Sequence, residues 1–131
     1  MVKAKKTIKT KRFIDNKDGT VSDNETGLMW AQEGSPERLT FKEAEKYYKE
    51  LNLGKHKDWR LPTLKELISI VDYDRISPSI DPIFKAESSW YWSATGYAGG
   101  SDGAWIVGFG GGNTYWDYRD DGYYVRPVRQ Y

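Results

Sequence analysis

The chain of 131 residues contains no cysteine, and this absence excludes several kinds of chemistry. Without thiols there are no disulfides, no thiolate nucleophiles and no cysteine-based zinc sites. Histidine is nearly absent as well, because the single His56 lies in GKHKDW between two lysines, where a surface histidine is the ordinary interpretation. No nucleophile and base can be paired from these residues, so we expect neither an enzyme nor a cofactor or metal site.

Lysine and glutamate are missing from the last third of the chain. All thirteen Lys and all eight Glu lie at or before Glu87, and the segment from Ser88 to Arg129 also lacks Gln and Met. This segment is instead rich in Tyr, Gly, Asp and Ser, as in GYAGGSDGAWIVGFGGGNTYWDYRDDGYY. Tyr supplies large, rigid contact area, while Ser, Gly, Asp and Asn supply adaptable hydrogen bonds, a composition typical of antibody binding surfaces. The composition therefore predicts a binding surface.

Long apolar runs are also missing, so the sequence predicts neither a secretory signal nor a membrane-spanning segment. A formal net charge of +1 gives no global field that would attract nucleic acid or an anionic membrane. We expect a soluble protein that binds a protein or a cell-surface ligand, with no nucleic-acid partner and no membrane insertion. The sequence does not indicate where the protein is located. A position on a virion, or on a cell surface reached without a secretory signal, stays open.

A basic tail over residues 1–11 precedes the first predicted strand. Its cations could contact phosphates, but no aromatic residues are interleaved with them, which favours a solvated tail or a lead-in to an edge strand. The cations of the tail and of the next residue are Lys3, Lys5, Lys6, Lys9, Lys11 and Arg12.

Turn and capping signals divide the first two thirds of the chain into a meander and two helices. RFIDNKDGTVSDNETGLMW places apolar residues on either side of DG and TG turns, which is typical of short antiparallel strands. Two capping boxes follow, Thr40 with Glu43 and Thr63 with Glu66, each placed to satisfy the free amides of a helix start. Apolar residues recur at helical spacing after both boxes, and Gly54 is expected to end the first helix.

The pattern changes to a period of two in AWIVGFG. Trp105, Val107 and Phe109 share one face, which we expect to be buried, whereas Ile106 and Gly108 are expected to face outward. Further strands are predicted in YWDY and YYVRPVRQY, which gives a single α+β domain over residues 12–131. The first hairpin and the last strand are expected to share a sheet, because both would otherwise be unpaired edges.

Two short motifs resemble known ligand sites but lack essential parts. GFGGGN is not followed by a helix that could present its amides to a pyrophosphate, so it is not a dinucleotide fingerprint. DYRDDG resembles a calcium loop, but Arg119 occupies the place of an oxygen ligand and Val128 that of the bidentate carboxylate.

Five segments together resemble the Lcl C-terminal domain family, named from a collagen-like adhesin, over about residues 12–129: RFIDNKDGTVSDNETGLMW, LGKHKDWRLPTLKELISIVDY, YWSATGY, AWIVGFG and YYVRPVR. The resemblance implies a variant of the C-type lectin-like fold, with paired terminal strands, two helices and a second small antiparallel sheet that carries ligand-facing loops. The chain has no acid-Pro-Asn sugar motif, so calcium-dependent carbohydrate recognition is not expected. Formylglycine-generating relatives of the fold need paired cysteines, which are absent here.

The resemblance also suggests an origin for the composition boundary at Glu87. C-type lectin-like folds carry the variable proteins of viral and prokaryotic diversity-generating retroelements, which randomise adenines in one C-terminal segment. Codons for Lys, Glu, Gln, Met and Trp cannot be reached by that process, so Trp90, Trp92, Trp105 and Trp116 would be fixed scaffold within a variable region 88–131. The candidate ligand-binding positions are Tyr97, Gly99, Gly100, Ser101, Asp102, Ile106, Gly108, Gly110, Gly111, Asn113, Tyr115, Asp117, Tyr118, Arg119, Asp120 and Asp121.

An alternative to diversification stays open at this point. A sheet rich in Gly and Tyr can have this composition without any diversification. The chain would then be an adhesin or carbohydrate-binding module of fixed specificity, of the Lcl type.

Overall fold

The computed structural model describes residues 11–131, which form two α-helices and two antiparallel sheets. The predicted α+β class is therefore confirmed. The basic tail predicted for residues 1–11 lies outside the described residues except for Lys11, which is exposed.

The first sheet has four strands: β1 (Phe13–Asp15), β2 (Thr20–Asp23), β3 (Leu28–Ala31) and β7 (Val128–Gln130), in the order β1-β2-β3-β7. The three-strand meander expected from the DG and TG turns is present, and Gly27 adopts a φ of +74° in the second turn. The last strand shares this sheet, as predicted, but its partner is β3, where Val128 lies opposite Trp30. Strand β1 is left at the edge.

Both capping boxes start a helix where the sequence places them. Before α1 (Phe41–Glu50), the Glu43 amide donates to Thr40 Oγ1 at 3.2 Å and the Thr40 amide donates to Glu43 Oε1 at 2.9 Å. Thr63 and Glu66 make the same pair of bonds before α2 (Leu64–Ser69). The expected end of the first helix is wrong, because α1 stops at Glu50 and the left-handed Gly54 lies in a separate 3₁₀ turn.

Arg12 joins the first sheet to the end of α2. Its guanidinium donates to both carboxylate oxygens of Asp23, at 3.0 and 3.1 Å, and to the Ser69 carbonyl at 2.9 Å. Burial raises the pKa of the fully buried Asp23, but the hydrogen bonds from Arg12, Thr26 and the Glu25 amide, together with the charge of Arg12, outweigh this effect and hold the pKa below its usual value. Arg12 therefore has a structural role, rather than the phosphate-contacting role considered for the basic cluster.

The second sheet consists of β4 (Trp90–Gly96), β5 (Gly103–Gly108) and β6 (Asn113–Tyr118), with β5 in the centre and β6 at one edge. Trp90 pairs with Gly108 on one side of β5, and Asn113 pairs with Gly108 on the other. The two hairpin connections of this sheet lie at opposite ends, because the strands are antiparallel.

Side chains pack against both faces of the second sheet. One cluster joins it to α2 and to the first sheet through Tyr91, Val107 and Phe109. The other cluster lies on the α1 side and contains Ala44, Leu61, Trp92, Ala104, Ile106 and Val125. A strand covered on both faces has no outward-facing side chains at its centre, and this arrangement determines which predicted site residues reach solvent.

Candidate functional site

Most of the predicted site residues fall at two separate ends of the second sheet, while Ile106 and Tyr115 lie opposite each other in the middle of β5 and β6. Residues 97–102 connect β4 to β5 and residues 119–122 follow β6, so these segments meet at one end, which we call the loop end. Gly108, Gly110, Gly111 and Asn113 lie at the opposite end, around the turn from β5 to β6. The six-residue strand β6 separates the two groups by about 17 Å. They do not form one compact patch.

Arg119 ties the segments of the loop end together. Its amide donates to the Asp102 carbonyl at 2.8 Å, and its guanidinium donates to the Ser101 carbonyl. The guanidinium carbon also lies 4.8 Å from the centre of the Phe41 ring, and the Phe41 amide donates to the Arg119 carbonyl at 2.9 Å. These contacts fix both segments to each other and to the start of α1.

Four aromatic side chains form an aromatic cluster beside these segments: Tyr97, Trp105, Trp116 and Tyr118. Tyr97 and Trp116 are stacked, with ring centres 4.1 Å apart and planes 4° apart. Trp105 meets the edge of Tyr97, and Tyr118 meets Trp116 edge to face at 5.3 Å. Gly103 lies beneath the stack, where an added Cβ would come within 2.9 Å of the Trp116 ring. The absence of a side chain at Gly103 therefore lets the stack sit directly on the sheet.

An open cavity of about 470 Å³ lies between the two segments of the loop end, lined by Ser101, Asp102, Tyr118, Arg119 and Asp120. All five belong to the predicted set. Tyr118, which is 55% exposed, joins the cavity to the aromatic cluster. The loop end thus presents an aromatic ring, two carboxylates, a hydroxyl and a guanidinium to the same space.

Asp117 and Asp121 share a hydrogen bond at the rim of this end, and Tyr123 donates to the Asp117 carboxylate. Burial raises the pKa of Asp117, but the hydrogen bonds from Tyr123, Asp121 and the Tyr118 amide outweigh it and lower the pKa overall. The bond to Asp117 raises the pKa of Asp121, so Asp121 takes up a proton first as the pH falls. Burial is the larger cause and the hydrogen bond to Asp117 the second cause of the raised pKa of Tyr123. Tyr123 therefore keeps its proton and donates it to Asp117 in a hydrogen bond.

Two predicted site residues are not at the surface. Ile106 is only 2% exposed and packs among Trp92, Ala104 and Val125, so the expectation that it faces outward is wrong. Gly108 is buried as well, because Trp90 covers it and an added Cβ would lie 3.2 Å from three atoms of the indole. The period of two was correct, but α1 and its neighbours cover the face that was expected to be free.

The expected buried face also differs from the structure at one position. Val107 and Phe109 are fully buried, as predicted, whereas Trp105 is half-buried. The core below α2 ends before Trp105, which instead contacts Tyr97 at the loop end. Trp105 and Trp116, interpreted from the sequence only as scaffold, therefore also contribute to the candidate surface.

The opposite end of the sheet is formed by the glycine-rich turn. The Ser77 amide donates to the Gly110 carbonyl at 2.9 Å, and the Ser79 amide donates to the Phe109 carbonyl at 2.7 Å. Gly111 and Asn113 are exposed, and Trp90 and Tyr73 lie at this end, but within the described residues neither ring is paired with another aromatic ring. We therefore place the candidate site at the loop end.

The family model of the Lcl C-terminal domain matches residues 19–129. The chain belongs to the Lcl C-terminal domain family. A search of curated proteins finds no match to this Lcl C-terminal domain.

A motif near the end of this Lcl C-terminal domain contains a fully buried charge. Arg126 in YYVRPVR is fully buried and donates to the carbonyls of Ala31, Gln32 and Lys85 at 2.7–2.8 Å. Its guanidinium carbon also lies 5.4 Å from the Tyr91 ring centre, and burial lowers its pKa. Arg126 thus holds the first sheet to the segment that leads into β4, away from the loop end.

Between Lys11 and Tyr131, no three or more His, Asp or Glu residues are grouped so that they could hold a metal ion. Over the same range, no helix has the length and apolar character needed to cross a membrane.

Proposed function

We propose that this Lcl C-terminal domain is a non-enzymatic ligand-binding domain and that its ligand lies against the loop end. The observation that carries the proposal is the exposure of Tyr118, Asp102, Ser101 and Asp120 around one cavity on a firmly held backbone. Binding surfaces gain affinity when their polar and aromatic groups are ordered before the ligand arrives. The contacts of Arg119 and the Tyr97–Trp116 stack supply that order.

The proposal includes a C-type lectin-like fold. It is supported by the pairing of the last strand with the N-terminal meander, by the two helices, and by the small second sheet whose loops line the cavity.

The proposal also includes diversification of the C-terminal segment by a retroelement. The exposed positions Ser101, Asp102, Asn113 and Tyr115 all carry residue types that this process can reach. Ser101 and Asp102 line the cavity with Tyr118, and the Tyr115 ring centre lies 6.3 Å from that of Trp116.

One observation favours the alternative of an adhesin with fixed specificity. Ile106 and Gly108 belong to the same compositional set but are buried, and burial by itself excludes Lys and Glu from such positions. Part of the composition boundary at Glu87 therefore follows from packing. The alternative keeps the same site at the loop end and differs only in whether its residues vary among copies of the gene.

Binding at the loop end is tested with glycan and protein arrays probed with the labelled domain. We expect a ligand whose signal is lost in Tyr118→Ala, because Tyr118 joins the cavity to the aromatic cluster. Tyr131→Ala is the matched control, since Tyr131 is an equally exposed tyrosine that lies next to the first sheet, where its amide donates to the Gly27 carbonyl. Signals that survive Tyr118→Ala and disappear in Tyr131→Ala would contradict the placement of the site.

Diversification is tested in the genome that encodes the chain. A reverse transcriptase gene and a near-copy of the segment encoding residues 88–131, differing only at adenines, would support it. A neighbourhood without either one would favour fixed specificity.

A further inference from the structure

The loop end has an excess of negative charge. It carries four carboxylates, those of Asp102, Asp117, Asp120 and Asp121, and one guanidinium, that of Arg119. Among the described residues none of these four carboxylates forms an ion pair, whereas other acids do, such as Glu66 with Arg60 and Asp58 with Arg129. Charges at one end of a domain that the protein leaves unpaired favour a ligand of opposite charge.

Among the described residues that line the cavity, the one cation, Arg119, is already engaged. The Arg119 guanidinium donates to the Ser101 carbonyl and lies over the Phe41 ring, on the side of the loop end that faces α1. Two further described cations are close by: Arg38 lies beside Tyr123 and over the Tyr124 ring, and Lys42 lines a neighbouring cavity with Phe41, Arg119 and Asp120. None of these three residues forms an ion pair with Asp102 or Asp120.

Aromatic rings supply the second feature that suits a cation. Tyr118 is 55% exposed and lines the same cavity as Asp102 and Asp120, while Tyr115 on the same strand is 60% exposed. The face of an aromatic ring attracts an ammonium or guanidinium group, and a nearby carboxylate adds to that attraction. The cavity therefore combines the two groups that recognise a basic side chain.

A third feature indicates that the cation belongs to a polypeptide. Strand β6 is the outer strand of the second sheet, and no strand of the described chain pairs with its outer edge. The strand has no Lys, no Pro and a regular register with β5. Its one charged side chain, Asp117, is held by the Tyr118 amide and the Tyr123 hydroxyl, so the edge stays open to another strand before Asp117. An extended peptide can form main-chain hydrogen bonds with such an edge.

We propose that the cavity at the loop end binds an arginine or lysine side chain of a protein partner, with the partner's chain running along β6. This inference rests on the proposed function and names the class of ligand for that site. The basic group lies between the Tyr118 ring and the carboxylates of Asp102 and Asp120, and the exposed rings of β6 contact the rest of the segment.

The test uses the intact domain and two peptide probes, acetyl-Gly-Arg-Gly-Arg-Gly-amide and its counterpart with glutamate in place of arginine. Amide and indole NMR signals are followed during titration. We expect the arginine peptide to shift the signals of residues 101–102, 115–116 and 118–120, and the glutamate peptide to leave them unchanged. Raising the salt concentration should weaken the binding, since exposed charge pairs are screened.

Variants separate the contributions of charge and ring. Asp102→Asn combined with Asp120→Asn should weaken binding of the arginine peptide about fivefold. The control, Glu50→Gln combined with Glu87→Gln, removes the same charge from two exposed positions elsewhere and should leave the affinity unchanged. Tyr118→Leu should weaken binding about threefold, and the control Tyr131→Leu should not.

The outcomes distinguish this inference from the proposed function. Equal binding of both peptides, no shifts at the loop end, or an affinity insensitive to the double Asp variant would overturn the inference. If an array ligand still depends on Tyr118 in that case, the loop end binds a neutral or anionic ligand and the proposed function stands. If no array ligand depends on Tyr118, the proposed function itself is wrong.

Discussion

Neighbouring glycines of one motif differ in what surrounds them. Gly108 in GFGGGN lies beneath the Trp90 indole, whereas an added Cβ at Gly111 would meet no atom within 4 Å. Both positions are glycine, and both belong to the same predicted set. Only their surroundings show that one is part of the core and the other part of the surface.

Serine substitution at these two glycines should therefore have different effects. Gly108→Ser places two additional atoms against Trp90 and should lower the free energy of unfolding by about 1–3 kcal/mol. Gly111→Ser adds the same atoms in open space and should change it by less than about 0.5 kcal/mol. Chemical denaturation of both variants measures the difference, and similar values at the two positions would contradict the assignment of Gly108 to the core.

The second helix shows how a local sequence signal is combined with a tertiary contact. Glu66 completes the capping box of α2 and also accepts two hydrogen bonds from Arg60, at 2.8 and 2.9 Å. The bonds from Arg60 lower the pKa of Glu66 more than its partial burial raises it. The capping box is readable from the sequence, but the contact with Arg60 depends on the loop before the helix.

The lowered pKa of Glu66 makes a testable contribution to acid sensitivity. Because the folded pKa is below the unfolded value, this stabilisation is complete above about pH 4.3 and is lost as the pH falls through the folded pKa. Glu66→Gln keeps a capping residue but removes the charge. Its melting temperature should be lower than that of the parent at pH 7, and the gap should narrow towards pH 3. A gap that is constant with pH would contradict the ionic role of Glu66.

At the scale of the whole molecule, a packed scaffold is distinct from a set of exposed positions. Aromatic and aliphatic side chains fill both sides of the second sheet, and the loop end projects beyond them. Six predicted positions are exposed and make few fixed contacts: Ser101, Asp102, Asn113, Tyr115, Tyr118 and Asp120. Six others are buried, hold the loops in place or leave no room for a larger side chain: Tyr97, Gly99, Ile106, Gly108, Asp117 and Arg119.

Replacing each group of six at once tests this separation. The exposed group should tolerate simultaneous replacement, with cooperative melting within about 5 °C of the parent, because isolated surface changes cost little and add independently. The protein should lose cooperative melting when the second group is replaced, using the same set of replacement residue types as for the exposed group. Thermal unfolding by circular dichroism measures both sets. Loss of folding in the exposed group would show that these residues belong to the scaffold.

Local patterns in the sequence predicted most of the elements. The two capping boxes located the helix starts at Thr40 and Thr63, and the period of two in AWIVGFG located a strand with Val107 and Phe109 on one side. These features depend on hydrogen bonds and side-chain directions among residues close in the chain, so their signals are local. Composition likewise indicated a binding segment after Glu87 without specifying its shape.

Only the tertiary structure decided which of those residues are available to a ligand. Ile106 and Gly108 are buried because α1 and Trp90, which lie outside the AWIVGFG segment, cover them. Trp105 reaches the loop end because the core below α2 stops before it. The cavity between Asp102 and Asp120 likewise depends on Arg119 drawing two loops together. Burial and convergence arise from contacts between distant segments, which a period within one strand does not encode.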